Sequence, residues 1–171
     1  MNVNLLRTWL RAWALITVVD AIFATTLPVV AYHQPLGRVW QGVASTLLGP
    51  AALQGGIRTA LIGVLMHIGV ALWWSTVFLT LYSAWPRLRR TVSTAGGAIG
   101  VAGVYGPLIW LVMSWVVIPQ LTGRPPTITV RWWVQLLGHI PFVALPIVAT
   151  IGLGVGRYAH RVQAQPIGSA A

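Results

Sequence analysis

Four stretches of this chain are long and apolar enough to cross a bilayer, which leaves few folds open to it. A spanning helix needs roughly 20 mostly apolar residues, since each adds about 1.5 Å across a core of ~30 Å. The runs lie at about 12–32, 59–85, 95–118 and 132–156. In lipid every backbone N–H and C=O must find its partner inside the protein, so each run reads as a helix. The expected fold class is an all-α integral membrane protein, a bundle of four transmembrane helices forming one domain over residues 1–171.

Composition narrows the chemistry. Hydrophobic residues make up 57% of the chain and charged residues 7%, against about a quarter charged in soluble domains. All eleven basic residues are arginine, and Asp20 is the only acid. With no cysteine there are no disulfides and no thiolate ligands or nucleophiles. With no lysine there is no Schiff base and no phosphate-loop lysine. The net charge of +10 comes from arginines set in ones, twos and one short cluster between apolar runs. That pattern suits membrane flanks and argues against nucleic acid. The expected partner is the lipid bilayer, with a second copy or another membrane protein as further possibilities.

The breaks between runs carry their own signals. HQPLG at 33–37 and LGPAALQGG at 48–56 bracket a segment, about 37–48, too short to cross. It is expected to be a short interfacial helix anchored by Trp40. WPRLRR at 85–90 reads as a basic loop, PQLTGRPPT at 119–127 as a Pro/Gly turn, and 157–171 as a flexible tail. Seven arginines (7, 11, 87, 89, 90, 157, 161) fall on the side of the termini and four (38, 58, 124, 131) on the other. The excess places both termini in the cytoplasm, and a bacterial plasma membrane is the default location. Arg7 and Arg11 ahead of an apolar run also resemble a cleavable signal, but Asp20 within that run and a poor cleavage site disfavour it. Trp9, Trp13, Trp40, Trp85, Trp132 and Trp133 fall near expected span ends, whereas Trp73, Trp74, Trp110 and Trp115 do not and are expected to pack.

Small residues mark where helices approach closely in lipid. The second run has Thr59, Gly63, His67, Ala71 and Ser75 at i, i+4 spacing, so one face holds them all. The third run offers Gly96, Gly97, Gly100, Gly103 and Gly106 as a packing face for its cytoplasmic half. In the fourth run Gln135 and His139 stand one turn apart, beside Pro141 and Pro146, which free the carbonyls of Leu137 and Phe142. A broken backbone of this kind at membrane depth suits the wall of a cavity. Counting from the run ends puts His67 ~12 Å, His139 ~11 Å and Asp20 ~18 Å from the face opposite the termini.

Asp20, His67 and His139 are thus within reach of one another, with Gln135 and Ser75 as further polar candidates. The plainest reading is that each is satisfied locally and fixes helix packing, in a scaffold or partner subunit. A sharper one is a site that binds or relays a proton or small cation, since ionisable groups inside spans often mark such paths. A bis-histidine haem or a divalent metal on Asp20, His67 and His139 is a weaker alternative, and no cofactor is expected. No nucleophile motif accompanies the lone carboxylate, so no catalytic residue is assigned.

Taken in order, the aspartate-bearing first run, RVWQGVASTLLG, GGIRTALIGVLMHIGVALWW, VMSWVVIPQLTGRPP and LLGHIP resemble the YagU-like family of small bacterial inner-membrane proteins. The match covers about residues 16–156, and its most specific pieces are His67, VVIPQLTGRPP and Gly138-His139. The resemblance implies four spans and a plasma-membrane location, and brings no reaction, cofactor or substrate.

Overall fold

The structure is a computed structural model that describes the backbone of residues 3–163 and the side chains of residues 5–154. It is helical almost throughout, with no strand among the described residues. The elements are α1 (Val3–Thr26), α2 (Leu36–Leu48), α3 (Gly56–Ala84), α4 (Pro86–Thr91), α5 (Ala95–Val112), α6 (Ile118–Thr122), α7 (Val130–His139) and α8 (Leu145–Gln163). Three π-helical turns prolong or join them: Leu27–Ala31 after α1, Met113–Val117 between α5 and α6, and Ile140–Ala144 between α7 and α8. The first and third turns open on Pro28 and Pro141, whose missing N–H groups favour a wider turn there.

Four helices are long and apolar enough to cross a membrane: Leu5–Ala31, Gly56–Ala84, Ala95–Thr122 and Val130–Gly154. The protein is a multi-pass membrane protein with a four-helix bundle, as expected. Bulky apolar side chains cover its outside, among them Val18, Ile22, Leu65, Trp73 and Val104, as lipid requires. The first span begins earlier than expected, so Trp13 lies within it and donates from Nε1 to the carbonyl of Ile68 at 3.2 Å. The tail expectation changes too. Helix α8 runs on to Gln163, and residues 164–171 lie outside the described residues.

Helix α1 packs between α3 and α8, and α5 packs on α7 and α8. The fourth seam, between α3 and α5, is unlike the others. Its half nearer the chain termini is closed by Trp74, Phe78 and Tyr105, whose hydroxyl donates to the carbonyl of Trp74 at 2.7 Å. Its other half is held apart, and α2 packs across it.

Helix α2 is more than a surface anchor. It packs closely along the first turns of α3: a Cβ on Gly63 would collide with the carbonyl of Trp40. Trp40 itself turns its ring onto His67, with centroids 5.3 Å apart, about three turns into α3. Arg38 donates to the carbonyl of Leu53 and Gln41 to that of Gly56, tying α2 to the chain that leads into α3.

The small-residue expectations divide. Gly63 and Ala71 are at helix contacts as expected, Gly63 against α2 and Ala71 in the core. Gly96, Gly100 and Gly103 are not: a Cβ at any of them would meet nothing within 4 Å. Helix α5 instead buries Ala98, Ala102, Tyr105, Gly106 and Ile109. Gly97 and Gly106 do stand at close contacts, where a Cβ would meet the carbonyls of Thr91 and His139.

Candidate functional site

Asp20, His67 and His139 converge. All three line one cavity of about 670 Å³ between α1, α3, α5 and α7, with α2 on its open side. Asp20 and His67 each lie eleven residues from the end of their span on this side, or ~16 Å, and His139 lies nine residues in, ~13 Å. The expected step of one turn between Asp20 and His67 vanishes because α3 starts at Gly56, three residues before the expected Thr59.

Asp20 Oδ2 stands 3.8 Å from His67 Nδ1. That is too long for a hydrogen bond and close enough for an electrostatic contact. The other ring nitrogen is committed: Nε2 lies 3.2 Å from the carbonyl of Thr17, an acceptor, so Nε2 carries hydrogen and donates. Trp40 packs against the same ring. His67 is therefore fixed by α1 and α2 together, and its free nitrogen is turned toward the chain's single carboxylate. Neither side chain is sealed, at 20% exposed for Asp20 and 11% for His67.

His139 sits at the junction of α7 and the π turn. Its Nδ1 donates to the carbonyl of Gln135 at 2.6 Å, which leaves Nε2 as the ring's acceptor. Its backbone is pressed against α5, since a Cβ on Gly106 would reach the His139 carbonyl at 2.7 Å. On the other side Gly138 leaves room for Phe23, which stacks on Phe142 at 4.7 Å. The Trp110 ring lies 5.0 Å from the imidazole. His139 lines the cavity immediately before the π turn, and such turns tend to mark functional positions.

Gln135 also lines the cavity. Ser75 does not. It is fully buried in the core half of α3, without a hydrogen-bond partner for its hydroxyl, away from the cavity wall. Among the described residues no three His, Asp or Glu side chains are grouped to hold a metal ion. Both ring nitrogens of His67 face protein atoms.

Several residues in or beside the cavity wall carried no functional reading from sequence. Trp40 reads as an interfacial anchor, Trp132 as a span-end tryptophan, and Arg38 and Arg131 as topology signals, yet all four contribute to the site. Arg38, Thr127, Thr129 and Arg131 are exposed and form the rim on the side away from the termini. The residue before HQPLG gave a hint in retrospect: the Tyr32 ring lies 5.6 Å from the Arg131 guanidinium, holding the first loop to the start of α7. A second cavity of about 460 Å³ adjoins the first and shares Thr127, Trp110 and Trp132 with it.

No family model, curated protein or solved structure matches the chain.

Proposed function

We propose that the protein binds and exchanges a proton at the Asp20–His67 pair, within a cavity reached from the side away from the termini. One observation supports this most. His67 spends its Nε2–H on Thr17, so Nδ1 and Asp20 Oδ2 face each other at 3.8 Å as two acceptors. With no proton between them a lone pair meets an anion. With one proton they form either an ion pair or a neutral acid–imidazole pair, both of which the geometry accommodates. His139 lies on the same wall as a second proton acceptor. Toward the termini the interior is filled by Ile16, Phe78 and Tyr105, so exchange runs to one side of the membrane.

The same reading puts the protein in a bacterial plasma membrane with both termini cytoplasmic, on the strength of the seven-to-four arginine asymmetry. It keeps kinship with the YagU-like family as a proposal. The segments that carry the resemblance, around His67, 116–126 and His139, all contribute to the cavity wall.

The chain offers an unusually clean test. Asp20 is its only acidic side chain, so apart from the terminal carboxyl the infrared carboxyl band belongs to one residue. A pH titration by difference infrared spectroscopy is expected to show a carboxyl band in the wild type that Asp20→Asn removes and His67→Gln moves along the pH axis. A band that titrates identically in the wild type and in His67→Gln would sink the pair as a unit.

A further inference from the structure

Three arginines, Arg38, Arg124 and Arg131, border the two adjoining cavities. The chain has one acidic side chain, Asp20, and that one already faces His67. No side chain of the protein is left to balance the rim, so its counter-charge comes from outside. Arg38 uses one N–H on the Leu53 carbonyl and has four of its five donors left.

Ser114, Trp110 and Trp132 share the cavity walls with these arginines. Much of the wall outside the Asp20, His67 and His139 site is apolar, and 670 Å³ lies within the ~300–1,000 Å³ usual for small-molecule sites.

We infer that the joined cavity binds an amphiphilic anion, a carboxylate or phosphate on an apolar body, with its head at the arginine rim and its body between α3 and α5. The inference rests on the cavity in which the proton site lies, and not on proton exchange itself. The anion comes either from the bilayer, as an acidic lipid, or from water, as an organic acid.

The test uses purified full-length protein in neutral detergent, titrated calorimetrically with octanoate, octyl phosphate, octanol and octylammonium. Octanoate or octyl phosphate is expected to bind at least about tenfold more tightly than octanol, a difference of about 1.4 kcal/mol. Arg38→Gln with Arg131→Gln is expected to remove most of that advantage, and Ser114→Ala to weaken anion binding about threefold, with unfolding profiles confirming that each variant is folded. Octylammonium binding as tightly as octanoate, or anion binding untouched by the double arginine variant, would overturn the inference. If Asp20→Asn still binds octanoate as the wild type does, the anion site stands whatever the infrared titration shows. Native mass spectrometry separates the sources: an acidic phospholipid carried through purification and displaced by octyl phosphate identifies a lipid, and anion binding to lipid-free protein a water-borne acid.

Discussion

His67 is held from three directions, by the Thr17 carbonyl, the Trp40 ring and the Asp20 carboxyl. Removing different parts of this set should therefore have unequal effects. Asp20→Asn leaves an amide that can still donate toward Nδ1, and is expected to change stability by less than about 1 kcal/mol. His67→Leu leaves the carboxyl without a partner beside apolar surface and should cost about 2–3 kcal/mol. Unfolding in mild detergent at neutral pH measures both, and an equal loss in the two variants would mean that the pair is not coupled. At this scale the sequence was informative about which side chains matter and silent about what orients them. Asp20, His67, Gln135 and His139 stand out as polar residues in apolar runs, whereas the acceptor that sets the state of His67 is a backbone carbonyl and has no side-chain signature. Arg38 and Arg131 were legible only as charges for counting, because their placement on one rim depends on how two loops meet.

At the scale of helices, two glycines of the same sequence type have opposite roles. Gly63 admits α2 against α3, so a methyl there meets the Trp40 carbonyl; Gly100 faces open space. Gly63→Ala is expected to cost about 1–3 kcal/mol as α2 is pushed off. Gly100→Ala should be neutral or stabilise by up to about 1 kcal/mol through helix propensity. Thermal unfolding of the two variants side by side checks this, and the reverse order would place α2 elsewhere. The i, i+4 stripe on α3 was a sound guide because Gly63 and Ala71 share it with His67. Of the α5 glycines, Gly97 and Gly106 stand at close contacts whereas Gly96, Gly100 and Gly103 do not, because a missing side chain does not say which face turns inward. Tyr105 settles that, through the Trp74 carbonyl. The short segment at 36–48 was recognisable as a helix from its length and flanks, but its partner, and hence its part in the site, depends on a tertiary contact.

For the molecule as a whole, the four spans and their turns were readable from apolar length alone, while their arrangement was not, since lipid-facing and core-facing residues are equally apolar. The arrangement can be tested because the chain has no cysteine of its own. The Thr8 methyl lies 3.3 Å from where a Gly154 Cβ would stand, so Thr8→Cys with Gly154→Cys should form a disulfide between α1 and α8 under mild oxidation. Thr8→Cys with Gly100→Cys serves as the control, and a bond in the control alone would refute the arrangement. Sidedness has a parallel test with a membrane-impermeant maleimide on intact cells: Ala51→Cys should label and Ser93→Cys should not, in keeping with cytoplasmic termini. The position of Asp20 in the first span also bears on how the protein is made. A charged aspartate at a helix centre costs about 2.5–3.5 kcal/mol to insert, and the first span precedes α3 and His67 in the chain, so its insertion alone favours the neutral acid. Helix α2, the segment between the two spans, packs at Gly63 and carries Trp40 onto His67, so the pair is complete only once that segment has folded back.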